Sequence, residues 1–114
     1  MSTDRELLEL AAKAAGIDVG PDDFTDPIGR KYTEGLGLWV RPSYGNWWSP
    51  LTDDGDALRL AVKLAMDMDT NGSSTFCRAD RAYKGAHEPH DGDSYAATRR
   101  AIVRAAAEIG KAKP

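Results

Sequence analysis

The sequence predicts an α+β domain: three helices packed on one side of a small antiparallel β-sheet, in the order helix, strand, helix, strand, helix. Three observations predict it. Stretches at 4–15, 53–67 and 94–109 repeat apolar residues at helical spacing. Two stretches between them, 36–41 and 74–83, are short, β-prone and bounded by helix breakers. A chain of 114 residues fits one domain, residues 1–114, with a modest core.

The first helix carries its own start and stop signals. Thr3 and Glu6 have capping-box spacing, and Gly16 supplies a left-handed end. Leu7, Leu10, Ala11 and Ala14 fall on one face. Residues 17–35 hold no period and many Gly, Pro and Asp residues, which predicts a loop. Leu36 to Arg41 reads as a strand closed by Pro42, because proline cannot donate to a ladder. Acids at Asp53 and Asp54 open the second helix, where Leu58, Ala61, Val62 and Ala65 share a face that reads as largely buried. Asn71-Gly72 turns the chain into the second extended stretch, and residues 84–93 read as a loop. The third helix starts at Asp93 or Ser94, with Tyr95, Thr98, Ile102, Ala105, Ala106 and Ile109 as its apolar stripe and Gly110 as its stop.

Charge and composition exclude several classes. The net charge is −3, which excludes a generally polycationic nucleic-acid binder. The distribution is uneven: Arg99, Arg100, Arg104, Lys111 and Lys113 stand against Glu108 alone after residue 93. An acidic body with a basic final helix is dipolar, although a helix C-terminus favours cations anyway. One cysteine, Cys77, excludes an intramolecular disulfide and a cysteine zinc finger. No apolar run reaches the ~20 residues of a membrane span, and the first residues lack the apolar segment of a secretory signal. The expectation is a soluble protein of the cytoplasm with no membrane partner.

Motifs for chemistry are weak. Asp67 to Gly72 copies the opening of an EF-hand loop, but position twelve is Arg78, a cation where the closing carboxylate belongs. The segment reads instead as a helix end turning into a strand. His87, His90 and the acids Glu88, Asp91 and Asp93 are metal-type ligands, yet Pro89 and Gly92 deny them a helical scaffold. Cys77 lies in the second extended stretch and reads as the common buried case. No nucleophile elbow or phosphate-cradling loop is present. The expectation is no enzyme, no cofactor and no metal.

The aromatics are more informative. Trp39, Tyr44, Trp47 and Trp48 lie within ten residues, and Trp and Tyr are what binding hot spots favour. The turn Tyr44–Trp48 lies between Pro42 and Pro50, so its backbone is pinned at both ends. Tyr44, Trp47 and Trp48 are therefore the candidate protein-binding residues.

Three segments carry a resemblance: Arg5 to Gly16, Trp48 to Leu64 and Tyr95 to Gly110, which together span about two fifths of the chain. They resemble small proteins of tailed bacteriophages and prophages, and the layout is distantly similar to the phage NinX-like family of unknown function. The resemblance implies expression inside an infected bacterium and brings no catalytic residues. The resulting expectation is a non-enzymatic phage accessory protein that binds a host or phage protein, with inhibition of a bacterial defence system as one form. The alternatives are a nucleic-acid binder using Arg99, Arg100 and Arg104, and a small metal-dependent hydrolase built on His87, His90 and nearby aspartates.

Overall fold

The computed structural model describes residues 3–41 and 43–114. Helix α1 spans Asp4–Ala15, α2 Asp54–Lys63 and α3 Ser94–Ala112. Strands β1 (Tyr32–Thr33), β2 (Gly37–Val40) and β3 (Asn46–Trp48) form one antiparallel sheet, in that order. Strands β4 (Asp67–Thr70), β5 (Ser74–Arg78) and β6 (Ala86–Pro89) form another. The α+β class and the helix, strand, helix, strand, helix layout are as the sequence predicts. The single sheet is not: residues 36–41 and 74–83 belong to two separate meanders. Each meander closes through short local turns, which need little loop-closure entropy. The expected loops at 17–35 and 84–93 contain the short outer strands β1 and β6.

Helix α1 forms as its caps dictate. Thr3 accepts from the Glu6 backbone N–H at 3.1 Å, and Glu6 accepts from the Thr3 backbone N–H at 3.2 Å. Gly16 ends the helix in the left-handed region, with Ile17 N–H bonded to the Ala12 carbonyl at 2.9 Å. Helix α2 ends by the same closure, since Met66 donates to Ala61 and Ala65 to Val62. Here the left-handed residue is Ala65, at φ 51°. An alanine in that region carries strain of about 1–2 kcal/mol, partly offset by the greater unfolded-state freedom of glycine. Ala65→Gly is therefore expected to raise stability by about 0.5–1 kcal/mol in urea unfolding. An unchanged or lower stability would show that the position is unstrained.

That early closure corrects the expected helix over 53–67: Asp67 already belongs to β4. It also resets which face is buried. Ala57, Leu60 and Ala61 are buried, whereas Leu58 and Val62 are exposed. The Asp67–Gly72 segment is an edge strand leading into a turn, not a helix end. Asn71 Oδ1 makes that turn by accepting from the backbone N–H groups of Ser73 and Ser74, at 2.8 and 3.0 Å. The second extended stretch stops at Arg78, and residues 80–83 are turn and loop.

Helices α1 and α3 lie side by side and run in the same direction. Asp4 meets Arg100 and Lys13 meets the Lys113 carbonyl, while Gly110 lies against Leu10. Gly110 does not stop α3, which continues to Ala112. It is where the two backbones touch: a Cβ there would sit 2.0 Å from the Leu10 carbonyl oxygen. Lys113 Nζ donates to the Ala14 carbonyl at 3.2 Å, a cation at the C-terminus of α1. The other side of α3 covers β5 and β6. Small residues make this sandwich possible, because Ala11, Ala12, Ala101, Ala105 and Ala106 are all buried in one core with Leu8, Leu38 and Val103. Among the described residues no helix is long and apolar enough to cross a membrane.

Candidate functional site

Strand alternation divides the tryptophans. In β2 and β3, Leu38 pairs with Trp48 and Trp39 with Trp47. Successive side chains point to opposite faces, so Leu38 and Trp48 face the core while Trp39 and Trp47 share the outer face. Trp48 is 8% exposed and cannot serve as a surface anchor, which corrects its place among the candidate binding residues. Trp47 is half-buried, and Tyr44 is 95% exposed.

On the outer face the Trp39 and Trp47 rings meet edge to face, with centroids 5.2 Å apart and planes at 73°. Phe24 lies 6.4 Å from Trp39. Gly45 is what lets the Trp39 ring lie down. At φ 96° it turns the chain, and a Cβ there would come within 2.6 Å of the indole. The Trp39 indole N–H has no hydrogen-bond partner among the described residues. The turn thus presents Tyr44 at its tip and the aromatic pair on its flank. Pro42, the expected end of the strand and one of its two pins, lies outside the described residues. Pro50 is among the fully buried residues.

Three cations frame the aromatics. Arg30 lies over the Trp47 ring at 5.3 Å, while Arg41 and Lys31 lie over Phe24 at 5.0 and 5.4 Å. The loop at 17–35 holds them there. Buried Asp26 accepts from the Arg30 backbone N–H at 2.6 Å and from its Nε at 2.8 Å. Burial alone would raise the Asp26 carboxyl, but these bonds to Arg30 outweigh it and hold its pKa below the ordinary value. Arg41 faces Asp18 at 3.5 Å. Lys31 Nζ donates to the carbonyls of Val19, Pro21 and Phe24, and burial lowers its pKa. Sequence reasoning missed Phe24, Arg30 and Lys31 because an aperiodic loop gives no face assignment, and Arg41 because nothing at the end of a strand shows that the loop's Phe24 and Asp18 will meet it. The Asp26–Arg30 spacing was the available signal.

The other candidates are placed differently. Arg99 Nη1 bonds Asp54 at 2.6 Å and its Nε bonds the Leu51 carbonyl at 2.9 Å. Arg100 holds both oxygens of Asp4, at 3.0 and 3.2 Å. Arg104 pairs with Glu88 and reaches the His87 carbonyl at 3.2 Å. The three arginines of the basic helix thus tie α3 to α2, α1 and β6, and each is matched by an acid. His87 and His90 do not converge. His87 is exposed opposite Phe76, while His90 Nε2 lies 2.9 Å from the Thr75 hydroxyl on the other side of the sheet. Among the described residues no three His, Cys, Asp or Glu side chains gather as a ligand set.

Cys77 is fully buried, and burial pushes its thiol up to about 11. It is a neutral core group at physiological pH, and thiol reagents are expected to modify it only after unfolding. Its pKa is raised on folding from 9.0, so its contribution is complete below pH 9. That contribution falls as pH rises, by about 2 kcal/mol at pH 11. Stability measured by urea unfolding between pH 8 and 11 should fall more steeply in the native chain than in Cys77→Ala. The difference is the Cys77 share, because Tyr32, also raised by burial, adds its own fall to both. The chain matches no protein-family model, no curated protein and no solved structure.

Proposed function

We propose that this protein works by binding another protein through the outer face of the β1–β3 sheet, with Tyr44 and Trp47 as anchors. Following the resemblance in its helices, the partner is a host or phage protein, and blocking a bacterial defence factor is one form of that role. The observation that carries the reading is an almost fully exposed tyrosine in the turn next to an edge-to-face Trp39–Trp47 pair. Tyrosine and tryptophan offer large contact area with few rotors to freeze. A face fixed by cross-strand pairing and cation contacts needs little further ordering on binding. Partly exposed Arg30 and Arg41 supply a polar rim, each balanced by its own aspartate.

The nucleic-acid reading has less support, since Arg99, Arg100 and Arg104 are engaged within the molecule. A phosphate backbone would have to displace Asp54, Asp4 and Glu88 to use them.

The test captures partners from lysate of phage-infected bacteria and then measures affinity with purified variants. Tyr44→Ala and Trp47→Ala are each expected to weaken binding by at least about 2 kcal/mol, with Tyr44→Ala leaving the unfolding temperature in place. Full affinity in both variants would remove this face from the function. A partner that proves to be nucleic acid, with affinity falling steeply as salt rises, would favour the basic helix instead.

A further inference from the structure

The outer edge of β4 and the groove beside it form a second surface, independent of the aromatic face. Strand β4 is the terminal strand of its sheet, and all four of its residues are exposed. Its backbone groups can be assigned. Asn71 N–H donates to the Ser74 carbonyl at 3.1 Å, closing the hairpin, and the register pairs Asp69 with Phe76 and Asp67 with Arg78. Hydrogen-bonded and non-hydrogen-bonded pairs alternate along an antiparallel ladder. Asp67 and Asp69 therefore bond to β5, while the N–H and C=O groups of Met68 and Thr70 point away from the sheet.

The side chains of those same two residues face a groove of about 510 Å³ between β4, α2 and α3, lined also by Ala57, Leu58, Tyr95 and Ile102. Leu58 is 62% and Tyr95 73% exposed, apolar area that the helical pattern would have buried. The opposite face of β4 is acidic. Among the described residues neither Asp67 nor Asp69 forms a salt bridge, and Arg78 opposite Asp67 leans over the Phe76 ring at 5.7 Å.

We propose that this edge takes an extended segment of a partner protein in which apolar and basic residues alternate. Such a segment adds a strand beside β4, bonds to the Met68 and Thr70 backbone, seats its apolar residues in the groove and sets its cations against Asp67 and Asp69. Charge selects this occupant over a second copy of the chain. Two-fold pairing centred on Met68 would set Asp67 against Asp69, and pairing centred on Asp69 would set that residue against itself. Like charges directly opposite one another are destabilising. A docked helix would fill the groove but leave the edge backbone unpaired.

The experiment titrates the isotope-labelled full chain with a blocked octapeptide of alternating lysine and valine. Saturable shifts are expected at the amides of Met68 and Thr70 and on Leu58 and Tyr95. A peptide of alternating glutamate and valine is expected to bind at least about tenfold more weakly, the effect of two opposed charge pairs. The double variant Asp67→Lys with Asp69→Lys should reverse that order of preference while keeping the native helical signal. Thr70→Pro removes an outward N–H while keeping the backbone ladder to β5, and should abolish the shifts; Thr70→Val, which equally loses the hydroxyl that accepts from Thr75 at 2.9 Å, should keep them. A flat titration, equal binding of both peptides, or shifts confined to other surfaces overturns the proposal. Concentration-dependent dimerisation that protects the Met68 and Thr70 amides overturns it in favour of a second copy.

Discussion

Trp48→Ala is expected to lower unfolding free energy by about 3–5 kcal/mol, the largest effect of any change in the aromatic turn. The indole sits at a core position opposite Leu38, in one cluster with Val40 and Leu60, so its removal leaves a cavity that a short three-residue strand cannot close. Trp47→Ala, one residue away on the other face, should be much milder and should act mainly on binding. Equilibrium denaturation of the two variants side by side checks both. A Trp48→Ala protein within about 1 kcal/mol of the native chain would mean that the indole contributes no core packing.

Gly110→Val should rank next, at about 3 kcal/mol. The contact it violates is with the Leu10 carbonyl, which is backbone and cannot rotate aside. To admit a side chain, α3 must move off α1, and the Arg100–Asp4 pair and the Lys113 contact at the end of α1 depend on that closeness. Gly110→Ala poses the same Cβ clash with a smaller group, and since both alanine and valine have better helix propensity than glycine, propensity cannot account for a loss in either variant. Loss of stability in both variants, with unfolding still cooperative, is the expected result. If Gly110→Ala stabilises the protein, as it would at an open helix position, the close approach is absent.

The same site shows what the sequence could and could not convey. A glycine near the end of an apolar stripe reads as a stop signal, and at Gly16 that reading is right. At Gly110 the identical residue serves a helix-to-helix contact, and nothing local distinguishes the two. The stripe Leu58, Val62 went wrong for a related reason. Helical spacing identifies residues that share a face, but which of two apolar faces is covered depends on where α3 lies. The candidate site was half legible: the aromatic cluster and its pinned turn stand in the sequence, whereas the choice between Trp47 and Trp48 waits on the register with β2. Two of the cations around them, Arg30 and Lys31, come from a loop held by the bonds of Asp26 and Lys31, and the third, Arg41, is met by Asp18 of that loop.

What the sequence determined by itself is everything fixed by neighbours within a few residues. This covers the caps of α1, the start of α2 at Asp53, the start of α3 at Asp93, the Asn71 turn and the α+β order. These are short-range hydrogen bonds and periodicities, and they form wherever the chain is placed. Tertiary structure decided the rest: two sheets in place of one, an inward Trp48 and an outward Trp47, and three arginines turned from a basic surface into ties between elements. The reason is physical. Burial and ion pairing depend on partners nearly fifty to a hundred residues away, as Arg99 with Asp54 and Arg100 with Asp4 show, and no local pattern encodes which distant group will arrive.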